Sequence, residues 1–83
     1  MNRLMDAHMD FYDQAVIARI MAKYGMGEME AVRAFLLSKT HRMLEDNDLA
    51  MWEFGDRAIF EIWEAEREHG TPLASPYLAT EES

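Results

Sequence analysis

Glycines at positions 25, 27, 55 and 70 cut the chain into proline-free runs, and both prolines lie behind the last of them, at 72 and 76. The runs between these breaks favour helix, and the two later ones repeat apolar residues at helical spacing. The pattern predicts an all-α fold: a small bundle of three main helices at about 10–24, 28–45 and 56–69, with an aromatic-rich connector between the last two. Residues 1–70 read as one helical domain and 71–83 as an irregular C-terminal tail.

The first run, DFYDQAVIARIMAKY, starts at Asp10, a good N-cap, with Asp13 in the first turn and Lys23 in the last. Apolar side chains occupy most of its circumference, so it needs cover on more than one face. The 83 residues supply only two further helices to cover it. A domain of this size buries only about 60–65 % of its unfolded surface, and without a cysteine it has no disulfide to compensate. The excess predicts a homodimer in which Phe11, Val16, Ile17, Ile20 and Met21 form the self-association surface.

In the second run Met29, Val32, Phe35, Leu36, Thr40, Met43 and Leu44 make one buried stripe. Leu37 falls off that stripe, and His41 belongs to the opposite, exposed side. Asp46-Asn47-Asp48 is a turn, and Leu49, Met51, Trp52 and Phe54 crowd the connector. The third helix follows Gly55-Asp56, with Asp56 as N-cap. Its apolar face is Ile59, Phe60, Ile62 and Trp63, and its acidic side chains are expected in solvent. Gly70 and Thr71-Pro72 stop it. Pro76-Tyr77-Leu78 offers a docking segment, while the last residues are expected to be disordered.

Charge divides the chain. Residues 1–44 hold six Lys/Arg against five Asp/Glu, and residues 45–83 hold two against eleven, which gives the net charge of −8. An acidic chain without a basic stripe is a poor ligand for nucleic acid or anionic membranes. No apolar run reaches the ~20 residues of a membrane span. The N-terminal stretch, interrupted by Asp6 and Asp10, does not read as a signal peptide, so a cytoplasmic location is expected. The acidic half fits a basic protein partner.

No constellation for catalysis stands out. His8, His41 and His69 share no metal-ligand spacing. A calcium loop starting at Asp46 would place Met51 where glycine is needed and Arg57 where glutamate is needed. Gly25-Met26-Gly27 lacks the lysine of a phosphate loop. The expectation is therefore no enzyme, no metal and no cofactor. Eight methionines are many for this length. They fill gaps in a small core or make an adaptable binding surface, for which Met5, Met9 and Met26 are the candidates.

Ser38-Lys39-Thr40, Leu44, Asp46, Trp52, Ile59 and Ile62-Trp63-Glu64 give residues 28–66 a resemblance to a group of small bacterial helical proteins. These are themselves uncharacterised, are often encoded beside predicted toxins, and are labelled antitoxin components. The resemblance implies a non-enzymatic protein-interaction module, the neutralising partner of a toxin. Trp52, Phe54 and Trp63 would then anchor the apolar contact, and Glu61, Glu64 and Glu68 would meet the basic partner. The alternatives are a self-assembling helical protein, a Met- and aromatic-lined carrier of a small molecule, and a DNA-binding regulator working through Arg33, Lys39 and Arg42.

Overall fold

The computed structural model describes residues 11–78, in which four α-helices and three short 3₁₀ turns pack around one core and no strand occurs. The helices are α1 (Phe11–Tyr24), α2 (Glu28–Leu36), α3 (Lys39–Leu44) and α4 (Asp56–His69). The expected all-α bundle is the observed class, with α1, α2 and α4 as its three longer helices. No helix of the described residues is long and apolar enough to cross a membrane. Asp10, Met5, Met9, His8 and the final residues lie outside the described part of the chain.

Helix α1 ends where Gly25 turns left-handed at φ 68° and its N–H reaches Met21 O at 2.9 Å, a stop that any side chain would strain. Helix α4 ends the same way at Gly70, φ 85°, bonded to Glu66 O. Between them the connector consists of 3₁₀ turns at Asn47–Leu49 and Met51–Phe54. The Asp46 carboxylate starts it by accepting the N–H of Asp48 at 3.0 Å, and Ala50 bends it in the left-handed region at φ 50°.

The expected continuous helix over 28–45 is two helices. Ser38 is extended, at φ −81° and ψ 160°. Its hydroxyl donates to Phe35 O at 2.6 Å and accepts the N–H of His41 at 3.0 Å. One side chain thereby closes α2 and caps α3, the competition with helix that serine and threonine bring. The opposite side of this cap comes from α4. The Glu66 carboxylate accepts the N–H of Lys39 and of Thr40, both at 2.9 Å, and the Thr40 hydroxyl at 2.7 Å.

The core draws Val16, Ile17 and Ile20 from α1, Val32 and Phe35 from α2, Leu44 from α3, and Met51 from the connector. Ile59, Phe60, Ile62 and Trp63 complete it from α4. Each large side chain so enclosed contributes on the order of 1.5–3 kcal/mol. Two helices, the connector and the α4 face thus cover what α1 was expected to leave bare.

Two further expectations are corrected. His41 is buried: the break at Ser38 re-aims α3, and the ring lies edge-on to Phe35 at 5.2 Å with Nε2 3.3 Å from the buried Asp13 carboxylate. Residues 71–78 are not an irregular tail. The Thr71 side chain caps a 3₁₀ turn at Pro72–Ala74. Pro72 and Ser75 are buried against the domain, and Tyr77 donates its hydroxyl to Glu61 at 2.7 Å.

Candidate functional site

The connector holds Met51 inside the core and leaves Leu49, Trp52 and Phe54 at the surface. Trp52 is 37 % and Phe54 42 % exposed. Phe54 leans on Tyr77 with ring centroids 5.9 Å apart, so the C-terminal segment props the aromatic patch from behind. Acidic residues flank it in the sequence. From Glu45 to Asp56 the chain has five carboxylates and no Lys or Arg. The Glu53 and Asp48 carboxylates meet no cation among the described residues, because the basic side chains of this end are engaged elsewhere.

Glu61 joins this patch through Tyr77. The Tyr77 hydroxyl and, secondarily, the Arg57 guanidinium at 3.3 Å hold its carboxyl below the usual range, and the same bond raises Tyr77 above the ordinary tyrosine value. The other acidic candidates lie apart. Glu64 turns to α1, where it accepts from Lys23 Nζ at 2.6 Å and from the Tyr24 hydroxyl. Its hydrogen bonds raise both the Lys23 and the Tyr24 values. Glu68 stands near the end of α4, 3.5 Å from His69. The α4 carboxylates expected to be solvated are thus mainly intrachain ties.

Trp63, expected as an anchor, is only 3 % exposed. Its indole N–H donates to Ala34 O at 3.3 Å, and its ring stacks on Phe60. It holds α2 to α4 instead of facing a partner. The self-association residues also divide. Val16, Ile17 and Ile20 are core, Met21 is half-buried, and Phe11 alone of the five is open, at 72 %. The helix-one surface proposed to join two copies is therefore mostly enclosed within a single chain.

A second surface was not foreseen. An open groove of about 660 Å³ runs between α2 and α4, with Ala34 and Trp63 on its floor and Met29 and Leu37 on its lip. Leu37 is 73 % exposed, because the helix break at Ser38 ends its helix and throws it outward. Arg33 and Arg67 line the groove together with the carboxylates of Glu30 and Glu66. Arg67 lies 4.7 Å from the Tyr24 ring centroid and 5.5 Å from that of Trp63, within cation–π range. Neither arginine meets a carboxylate in an ion pair among the described residues. The off-stripe position of Leu37 was the sequence signal for this surface.

Among the described residues no group of three or more His, Asp or Glu side chains has the geometry to hold a metal ion. Aromatic rings with acidic sequence neighbours make one surface, and aliphatic side chains with two arginines and two glutamates line the other. No protein-family model, curated protein or solved structure matches the chain.

Proposed function

We propose that the chain is a non-enzymatic protein-interaction module whose connector binds a basic partner protein. The observation that carries this reading is that half-exposed Trp52 and Phe54 share the connector with Asp48 and Glu53, whose carboxylates meet no cation among the described residues. Phe54 already rests against Tyr77 and so loses little freedom on binding, which is what an interface anchor needs. Surrounding carboxylates steer and orient a basic surface more than they tighten it. The resemblance of residues 28–66 to antitoxin-labelled bacterial proteins supports a toxin as that partner and the cytoplasm as its place. Trp52 and Phe54 remain the apolar anchors, and Glu61 alone of the three expected α4 carboxylates stands beside them.

The test is capture from the producing cell with the tagged chain and with its Trp52→Ala/Phe54→Ala variant, followed by titration of the purified candidate. The reading expects a basic protein that the variant fails to retain. Its affinity should fall by about tenfold or more for each anchor truncated, and its on-rate should fall as salt is added. A partner bound equally well by both chains, or at a rate indifferent to salt, would refute it.

A further inference from the structure

Asp13 and His41 are the two ionisable side chains that the described residues bury, and the docking surface above uses neither. They meet between α1 and α3. The Nε2 atom of His41 lies 3.3 Å and 3.4 Å from the two carboxylate oxygens of Asp13. Glu45, at the end of α3, brings a second carboxylate to 3.8 Å from the same nitrogen. From α2 the ring meets Phe35 edge-on. Glu66, the α4 carboxylate on α3, is engaged at the opposite end of that helix, and on the connector Asp46 turns to the N–H of Asp48. Helix α1 packs chiefly on α2 and α4, so the Asp13–His41 pair ties two elements that otherwise touch little.

An ionised carboxylate only accepts hydrogen bonds, so the Nε2 atom facing it carries hydrogen. The second ring nitrogen then decides the charge. Protonated, the ring is a cation between two carboxylates; bare, it is a neutral donor. Burial alone disfavours the cation, and the two carboxylates favour it. The helix ends act on the side of the carboxylates. Asp13 stands in the first turn of α1 and His41 in the last turn of α3, where a negative and a positive charge respectively suit the macrodipole. Removing the proton would take a cation from beside a buried carboxylate, where the low dielectric makes the loss large.

We propose that Asp13 and His41 form a proton-dependent latch between α1 and α3. The imidazolium holds the two helices together, and the neutral ring holds them more weakly. The contribution of this proton to stability is complete below the ordinary imidazole midpoint and is lost as pH rises through the higher midpoint of the folded chain. Helix α3 leads at Glu45 straight into Asp46 and the connector, so the latch also fixes the root of that segment. It is a property of the single chain and stands whether or not the connector has a partner.

The experiment is NMR titration of the His41 ring in the full chain, with urea unfolding measured across the same pH range. In the wild type His41 should keep its proton at least about half a pH unit beyond the ordinary midpoint of about 6.5. Glu45→Gln, at an exposed position, leaves the buried groups in place and should lower that midpoint without unfolding the chain. Asp13→Asn should lower it further. The urea midpoint of the wild type should fall as pH rises through the His41 titration. His41→Gln keeps an N–H for Asp13 but does not titrate, so this fall should be missing from it, and the difference between the two chains cancels the other histidines. A wild-type His41 midpoint at or below about 6.5 overturns the proposal, and so does a His41→Gln chain whose urea midpoint falls with pH as the wild type's does. Should either buried variant fail to fold, the wild-type titration and Glu45→Gln decide by themselves.

Discussion

The contact that most controls how this fold divides into helices is Glu66 on the start of α3, and its removal has a size that follows from the geometry. In Glu66→Ala, the N–H groups of Lys39 and Thr40 and the hydroxyl of Thr40 lose their acceptor. Lys39 is exposed and regains water, whereas Thr40 is fully buried. A lost cap costs about 0.5–2 kcal/mol, and a buried donor left without an acceptor costs about 1–3 kcal/mol. The terms overlap, so about 2–3 kcal/mol is expected. Glu66→Gln keeps a carbonyl acceptor and should lose about 1 kcal/mol. Thr40→Val removes the hydroxyl together with its need, and should lose about 1 kcal/mol. Urea unfolding followed by far-UV circular dichroism measures all three and the Glu66/Thr40 double-mutant cycle. For a domain of this size each kcal/mol moves Tm by about 4–8 °C, so the alanine variant should melt at least 8 °C lower by that same scale. A Glu66→Ala chain within about 0.5 kcal/mol of wild type, the range of an ordinary surface change, would refute the capping argument.

Ile17→Glu, at a position 4 % exposed, should unfold the chain instead of separating copies. A buried charge without a partner costs more than about 3 kcal/mol, and a folded Ile17→Glu monomer would contradict the core described above. Ala50→Gly should leave stability unchanged or raise it by up to about 1 kcal/mol, because Ala50 sits at φ 50° where glycine is unstrained; a loss on urea unfolding would count against that geometry. The Tyr77–Glu61 bond lowers the Glu61 value and raises that of Tyr77. The lowered carboxyl stabilises the fold above its unfolded value and loses this effect as pH falls through its folded one. The raised phenol stabilises below its unfolded value and loses this effect as pH rises through its folded one. NMR titration of Glu61 in Tyr77→Phe should therefore show its value return toward 4.5, the ordinary one, and an unchanged titration would disprove the bond.

The helices were legible where their signals are local. Gly25 and Gly70 end α1 and α4 at the positions their flexibility recommends, and Val32, Phe35, Ile59 and Ile62 lie in the core as helical spacing requires. The break at Ser38 was not legible, because the carboxylate that stabilises it is Glu66, 27 residues from Lys39 in the chain. Two features of the structure depend on that break. A helix continuous through Ser38 would turn His41 outward, whereas the break buries it and leaves Leu37 protruding at the edge of the groove. The aromatic connector showed its composition but not which rings stay outside. Met51 is enclosed while Trp52 and Phe54 are not, and this depends on the left-handed bend at Ala50. Likewise Trp63 carries the same chemistry as Trp52, and only its bond to Ala34 O and its stacking on Phe60 remove it from the surface.

The connector as a docking surface is tested most directly by site-specific photo-crosslinking in the producing cell. A benzophenone amino acid replaces Trp52 or Phe54 in separate strains, and Arg42, exposed on α3, in a third. The account predicts that positions 52 and 54 both capture the same basic protein and that position 42 does not. No adduct at 52 and 54, or the same adducts at all three positions, would contradict it.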